Sequence, residues 1–476
     1  MTLKVYNSLS GEKEIFKTLE DKKVKIYSCG PTVYDYFHIG NARAFMVPDI
    51  IKRYLTYKGY DVLHVMNFTD IDDKMINRAN EEGISVQELA NRFITAFFED
   101  IERLNIRKAD IYPKATEHID DMIEMVNRLV EDGFAYESNG DVYFRVSKFS
   151  EYGKLSKKNL DDLVAGARVE VSDKKENPLD FVLWKASKDG EPSWESPWGA
   201  GRPGWHIECS AMSKRYLGEE FDIHTGGVDL TFPHHENEIA QSEACCDHKV
   251  VNYWLHNGYI NIDGEKMSKS LGNFFTTREI LNKYPAEVVR FFLISNHYRS
   301  PINFSDQELD NSAKSLNKLE NTVNKIDSLL ALEVVAGDLS GAELLSVYQE
   351  KKEKLIEAMD DDFNTALAIG VLHELAKEVN RFVNNPTFEL TAEVKVSLEK
   401  IKGLFDNFAK DVLGILVEKK EGNNDLVDPL ISLLLDVREK SRQNKNYQLA
   451  DEIRDRLDEL GIEVKDTPQG AEWSLK

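Results

Sequence analysis

A short alternating run, Lys23-Val24-Lys25-Ile26-Tyr27, breaks at Cys29-Gly30-Pro31-Thr32 and gives way to an amphipathic stretch over residues 44–57. A period of two followed by a period of 3.6 predicts strand, turn, helix. Residues 61–69 read as a second strand, ended by the polar cluster Asp70-Ile71-Asp72-Asp73-Lys74, and residues 86–104 and 116–131 carry helical periodicity. From 134 to about 200 the pattern changes. Residues 141–146 alternate like a strand and Gly, Pro and Trp become frequent, which predicts short strands and loops. The α/β pattern then resumes, with strands expected at 221–224 and 252–261 and a helix at 236–244. Beyond 305 the periodicity is helical, over 306–330, 342–359, 364–384 and 391–413. Residues 419–425 read as a linker, followed by helices at 429–443 and 447–460 and a short tail.

The expected fold class is α/β. A Rossmann-like parallel-sheet catalytic domain in two halves, 1–133 and 203–304, is split by a connective insertion at 134–202. A helical domain at 305–418 and a small C-terminal module at 425–476 follow. A chain of 476 residues is too long for one ordinary core, so several domains are expected. Hydrophobic content of 42% and charged content of 30% are those of a soluble globular protein. No apolar run approaches the roughly 18 residues of a membrane span, and Met1-Thr2-Leu3-Lys4 opens no signal-peptide pattern, so a cytoplasmic protein without membrane contact is expected. The net charge of −23 disfavours non-specific binding to nucleic acid. It leaves room for a local basic face, and Arg438, Lys440, Arg442 and Lys445 cluster against only Asp436 and Glu439.

Four cysteines in so long a chain are not a disulfide framework. Cys245 and Cys246 are adjacent on an expected helix and read as core thiols; Cys29 and Cys209 are the candidates for chemistry. His234 and Glu238, at i and i+4, share a helix face. Two thiolates, an imidazole and a carboxylate would favour Zn²⁺ over Mg²⁺ or Ca²⁺. Spacing alone fits better a surface His–Glu pair with the cysteines packed singly, since nothing local ties Cys29 to the pair. His38-Ile39-Gly40-Asn41 opens a helix after a strand, where backbone amides face an anion. Lys266-Met267-Ser268-Lys269-Ser270 sits in a Gly-flanked loop with two lysines three apart, suited to a polyphosphate. Each motif alone is an ordinary turn; in this order in an α/β chain they point to a nucleotide.

Those two motifs resemble the signatures of class I aminoacyl-tRNA synthetases. Cys29-Gly30-Pro31-Thr32-Val33-Tyr34-Asp35, Asn67 to Lys74, Trp205-His206-Ile207-Glu208-Cys209-Ser210, and Phe232-Pro233-His234-His235-Glu236-Asn237-Glu238 narrow the resemblance to the cysteinyl-tRNA synthetase family. Leu449 to Leu457 and Asp466-Thr467-Pro468-Gln469-Gly470 resemble that family's C-terminal module. The resemblance implies ATP-dependent activation of L-cysteine and its transfer to the terminal adenosine of cysteine tRNA. It implies one zinc per chain on Cys29, Cys209, His234 and Glu238, and magnesium accompanying ATP. His38, Lys266 and Lys269 would be catalytic. Gly40, Asn41, Gly227 and Asp229 would join them around ATP, and Thr69, Trp205 and His224 would line the cysteine pocket. The terminal basic cluster and Trp473 would meet tRNA, and a monomer is expected. The first motif usually ends in a second histidine, where this chain has Asn41, a neutral donor. The rival readings are a cysteine ligase acting on an amino sugar in mycothiol synthesis and a non-catalytic zinc and RNA-binding paralogue.

Overall fold

The computed structural model describes residues 2–158, 174–262, 265–266, 275–417, 427–467 and 470–475. It divides into two compact units, residues 1–416 and 417–476.

The first unit is built on a four-stranded parallel sheet in the spatial order Val251–Asn257, Phe221–Gly227, Lys23–Ser28, Asp61–Met66. Chain order reverses beside Lys23–Ser28: the next strand, Asp61–Met66, lies on one side and the later Phe221–Gly227 on the other. Open parallel sheets place their ligands at the carboxyl ends of the strands near such a reversal. Successive side chains of a strand point to opposite faces. Ile26, Ile223 and Leu255 accordingly enter one core, whereas Tyr27, Val65 and Trp254 enter another. The first core runs on without interruption into Leu316, Leu355, Leu372 and Leu398 of the helical segment. That shared burial makes residues 1–416 one unit. The second core is closed by helices Ile119–Glu131 and Trp205–Leu217 and by the insertion, an antiparallel sheet of Ala135–Ser138, Asp141–Phe144, Phe181–Ala186 and Gly201–Pro203.

A buried ionic knot ties helix Ile39–Tyr57 to distant segments. Asp49 Oδ1 accepts from Arg53 Nε at 2.8 Å, and Asp49 Oδ2 accepts from Arg290 Nη2 at 2.8 Å. Arg290 Nε also donates to the Leu413 carbonyl at 2.7 Å, and Arg53 Nη1 donates to that of Asp411 at 3.0 Å. The helix expected over 391–413 is therefore not uniform. Ala392–Phe405 is α-helical, and Asp406–Val412 widens to a π-helix before Gly414 turns at φ 67°. The carbonyls near its end are held by arginines from the sheet domain.

Three elements escape the hydrophobic pattern. The hairpin Lys4–Asn7 and Glu12–Ile15 is short and charged. Helix Asp73–Glu82 is mostly polar and buries only Met75, Ile76 and Ala79. In the second unit, helices Val427–Gln443 and Tyr447–Glu459 are followed by a hairpin, Ile462–Thr467 with Gly470–Leu475, in place of a loose tail. Ile431, Leu435, Leu457, Ile462 and Val464 form its small core, with Trp473 packed on it.

Candidate functional site

The carboxyl ends of the parallel strands open into a cavity of about 400 Å³. Cys29 to Thr32 follow the strand Lys23–Ser28, Asn67 and Thr69 follow Asp61–Met66, Gly227 closes Phe221–Gly227, and Asn257 closes Val251–Asn257; all line the cavity. Gly30 is demanded by this convergence. A Cβ there would lie 1.6 Å from the Asn67 carbonyl oxygen, while the Gly30 N–H donates to Asn67 Oδ1 at 2.9 Å.

Beside the cavity two sets of side chains are spaced to hold a metal ion. Cys29, Cys209, His234 and Glu238 form one; Cys29, His224, His235 and Glu238 form the other; within each, the ligand atoms lie within 4.8 Å of one another. Cys29 Sγ is 3.8 Å from Cys209 Sγ, 3.5 Å from Glu238 Oε1 and 3.3 Å from His235 Nε2. Cys209 Sγ is 3.7 Å from His234 Nε2, which lies 3.0 Å from Glu238 Oε1. Only the first set faces the cavity with three members, Cys29, Cys209 and His234; His224 and His235 do not line it. His224 instead holds Glu238 Oε2 at 2.8 Å and stacks on Trp254 with ring centroids 4.3 Å apart. His234 Nδ1 meets His206 Nδ1 at 2.8 Å, and Trp205 stacks on the His234 ring at 4.2 Å. The ligand atoms thus have partners behind them that fix their orientation.

The electrostatics suit a cation. Burial pushes the Glu238 carboxyl up, but the charges of His224 and His234 outweigh it and hold it well below the usual range. Burial lowers His234, and Glu238 with Cys209 reverses this and raises it to about 10. The hydrogen bond with Cys29 brings the Cys209 thiol down to about 6, while burial pushes Cys29 up. Burial, aided by the neighbouring His234 charge and opposed by Glu238, lowers His206 to about 3.

The N-terminus of helix Ile39–Tyr57 lines the same cavity with its positive dipole end. His38 is the N-cap. Its Nδ1 accepts from the Asn41 N–H at 3.2 Å, and the His38 N–H donates to Asn41 Oδ1 at 3.3 Å, a reciprocal capping box. Nδ1 being the acceptor, the proton of neutral His38 sits on Nε2. Asn41, expected to face a ribose or phosphate, spends its side-chain oxygen on the helix start. Gly40, Gly227 and Asp229 line the same cavity, as do Thr69 and Trp205. Thr69 Oγ1 donates to the buried Glu208 Oε2 at 2.6 Å. Lys266 lies in the short strand Glu265–Lys266, its side chain outside the described residues, and Lys269 lies outside them altogether.

In the C-terminal unit, Lys440, Arg442 and Lys445 are exposed, whereas Arg438 is 4% exposed. Trp473 is half-buried against the unit's core.

Sequence reading assigns no role to several residues of the cavity and its surroundings: Asn67, Lys74, Asn257 and Tyr259 in the lining, and the buried histidines His235 and His256, joined Nδ1 to Nε2 at 2.8 Å. One signal was available for the histidines. Six of the chain's 11 histidines, His206, His224, His234, His235, His248 and His256, fall between residues 206 and 256.

Three family models match the chain: the tRNA synthetases class I (C) catalytic domain over residues 15–314, the DALR domain over 354–417, and the cysteinyl-tRNA ligase anticodon binding domain over 427–473. The cysteine–tRNA ligase of Thermococcus onnurineus is 51% identical, with 99% of each chain aligned. That of Fusobacterium nucleatum is 50% identical, over 99% of this chain and 100% of the relative. Among solved structures, Mycobacterium tuberculosis methionyl-tRNA synthetase bound by methionyl-adenylate superposes with a TM-score of 0.64 at 16% identity, over 82% of this chain and 93% of that one. The Agrobacterium radiobacter LeuRS–tRNA–LeuAMS ternary complex superposes with a TM-score of 0.60 at 11% identity, over 84% and 85%. At these identities the structural likeness concerns the fold.

Proposed function

The chain belongs to the cysteine–tRNA ligase family of class I tRNA synthetases, and we propose that it activates L-cysteine with ATP and transfers it to the terminal adenosine of cysteine tRNA. The observation that carries this reading is that one cavity is lined both by Cys29, Cys209 and His234 and by the capped His38 helix start. A substrate spanning it meets a thiol-selecting centre and a phosphate-binding centre together.

The resident ion is zinc, held by Cys29, Cys209, His234 and Glu238. The donor set fits it: two sulfurs, one nitrogen and one oxygen within 4.8 Å of one another, with three of the four side chains facing the cavity. When bound, zinc supplies a soft Lewis acid that prefers a thiolate to an alkyl hydroxyl, a discrimination that pocket size alone gives poorly between cysteine and serine. His224 orients Glu238, and His206 orients His234. The cysteine carboxylate is ionised at neutral pH and needs no general base. Its oxygen attacks the α-phosphorus of ATP, which enters with magnesium, and pyrophosphate leaves. The helix N-terminus and His38 Nε2–H stabilise the phosphoryl oxygens as charge develops. Lys269 joins His38 at the phosphoryl oxygens, Lys266 helps hold the leaving pyrophosphate, and Asp229 takes the ribose hydroxyls. The terminal hydroxyl of the tRNA, the 2′-OH by family resemblance, then attacks the cysteinyl carbonyl and AMP leaves. Lys440, Arg442 and Lys445 serve the tRNA backbone, and Trp473 stacks a base. The enzyme works in a reducing cytoplasm that keeps Cys29 and Cys209 as thiols.

Cysteine-dependent exchange of pyrophosphate into ATP, followed by charging of purified cysteine tRNA, tests the reading. Both are expected, with serine and alanine inactive and one zinc per chain by metal analysis. No cysteine-dependent exchange would sink it, and exchange without charging would favour the amino-sugar ligase.

A further inference from the structure

A second cavity of about 400 Å³ lies beside the first, and nothing in the chemistry above uses it. It is within the roughly 300–1,000 Å³ of ligand pockets. The insertion supplies Lys185 and Arg202, and the segment after strand Asp61–Met66 supplies Asp72 and Asp73. Trp205, 41% exposed, lines both cavities. Asp72 and Asp73 line the second cavity while the next residue, Lys74, lines the first. The two cavities therefore adjoin at Trp205 and residues 72–74.

The lining is neither basic enough for a phosphate cluster nor apolar. It sets donors and acceptors side by side. Asp73 accepts from Lys185 Nζ at 2.8 Å and from Arg202 Nη2, yet its side chain stays 54% exposed. A carboxylate has about four lone-pair sites, so acceptor capacity remains. Arg202 is the opposite case. Its side chain is 5% exposed, and its Nε has no hydrogen-bond partner among the described residues, the Glu191 carboxylate lying 3.9 Å away. A buried donor without a partner is costly. A ligand presenting an amino group beside acceptor atoms, with a flat face for Trp205, matches this lining.

We infer that the second cavity binds the cytosine of the nucleotide preceding the terminal adenosine of the tRNA, with Asp73 accepting from the 4-amino group and Lys185 and Arg202 meeting the ring acceptors. Transfer RNAs end in CCA, so when the terminal adenosine occupies the first cavity the preceding cytidine must lie one nucleotide away. Trp205 and residues 72–74 stand where the two cavities adjoin. Carboxylate-to-cytosine-amine pairing and base stacking on aromatic side chains are the recognition chemistry such a base uses. The inference rests on the tRNA-charging function proposed above.

Its test is single-turnover transfer of cysteine from the preformed adenylate to full-length tRNA carrying cytidine or uridine at the penultimate position, with cysteine-dependent pyrophosphate exchange measured in parallel. Uridine turns the 4-position from donor to acceptor, opposite the Asp73 carboxylate. The unaltered enzyme should transfer to the uridine tRNA roughly tenfold more slowly or worse, by the usual cost of a mismatched base contact. Asp73→Asn can donate as well as accept, and it should bring the two tRNAs within about threefold of each other while leaving exchange unchanged. Equal transfer to both tRNAs by the unaltered enzyme would overturn the inference without recourse to any variant. So would a cytidine preference that Asp73→Asn leaves intact. An unaltered enzyme that shows no exchange would refute the ligase reading itself.

Discussion

At the scale of single residues, the site works because each functional side chain is held by a second one. His38 is oriented by Asn41, His234 by His206 and Trp205, Glu238 by His224, and Thr69 by Glu208. Cys209→Ser replaces a soft sulfur by a hydroxyl in a buried donor set. It is expected to lower zinc content from one per chain to a small fraction and to weaken cysteine binding in parallel, by about 10–100-fold or more. Metal analysis with cysteine-dependent exchange reads both; a serine variant that kept zinc and cysteine affinity would remove Cys209 from the ligands. A second residue carries a pH signature. His64 is buried with its Nε2 2.8 Å from Ser28 Oγ, and burial, aided by the Lys52 charge and opposed by Asp110 and Asp49, lowers it to about 4. A histidine depressed in the folded state binds fewer protons than its unfolded counterpart between that value and about 6.5. Its contribution is fully present above about pH 6.5 and is lost as the pH falls towards 4, to a limit of about 3 kcal/mol. Urea midpoints between pH 4 and 7 should show this slope, and His64→Gln should flatten it.

At the scale of elements, the buried knot around Asp49 decides how the helix starting at His38 is held. Asp49 is 1% exposed in its side chain, Arg53 2% and Arg290 0%, and Asp49 Oδ1 also accepts from the Arg107 N–H at 3.1 Å. Removing one member leaves the others buried without compensation, which costs about 3–5 kcal/mol. Asp49→Ala is therefore expected to lower stability by that order in equilibrium denaturation. Asp49→Asn, which keeps the acceptor oxygen, should lose less. Equal, small losses in both would mean that water or a shifted carboxylate satisfies the arginines. The same knot explains the π-helical Asp406–Val412, since the Leu413 and Asp411 carbonyls are held by Arg290 and Arg53. Helical periodicity in 391–413 foretold a helix. It held no trace of the widened turn, because the cause lies in arginines more than 100 residues away in sequence.

At the scale of the whole molecule, the 1–416 unit contains the cavity and the metal-ligand set, and residues 417–476 form a separate compact unit with its own small core. Truncation after residue 420 is expected to leave cysteine-dependent exchange within about twofold while tRNA charging falls at least tenfold, on the scale of about 1.4 kcal/mol per decade. Parallel loss of both activities would make the small unit a structural support for the catalytic one. No described helix is long and apolar enough to cross a membrane.

The sequence by itself determined the α/β core, the helical segment and the two motif-bearing turns. Periodicity and turn chemistry are local properties, and Cys29, His38, Gly40, Cys209, His234 and Glu238 stand in motifs that are legible residue by residue. It left the small elements unread: helix Asp73–Glu82 buries only three residues, and the terminal hairpin is held together by cross-strand pairs such as Val464 with Trp473. Only the tertiary structure decided that Cys29 and Cys209, 180 residues apart, bring their sulfurs to 3.8 Å. It also decided that His224 stands behind Glu238 without lining the cavity, and that Asn41 caps the helix of His38. The reason is physical. Which side chain faces a cavity and which supports it depends on the register of parallel strands and on packing across the sheet, and neither is encoded in the spacing of residues along one segment.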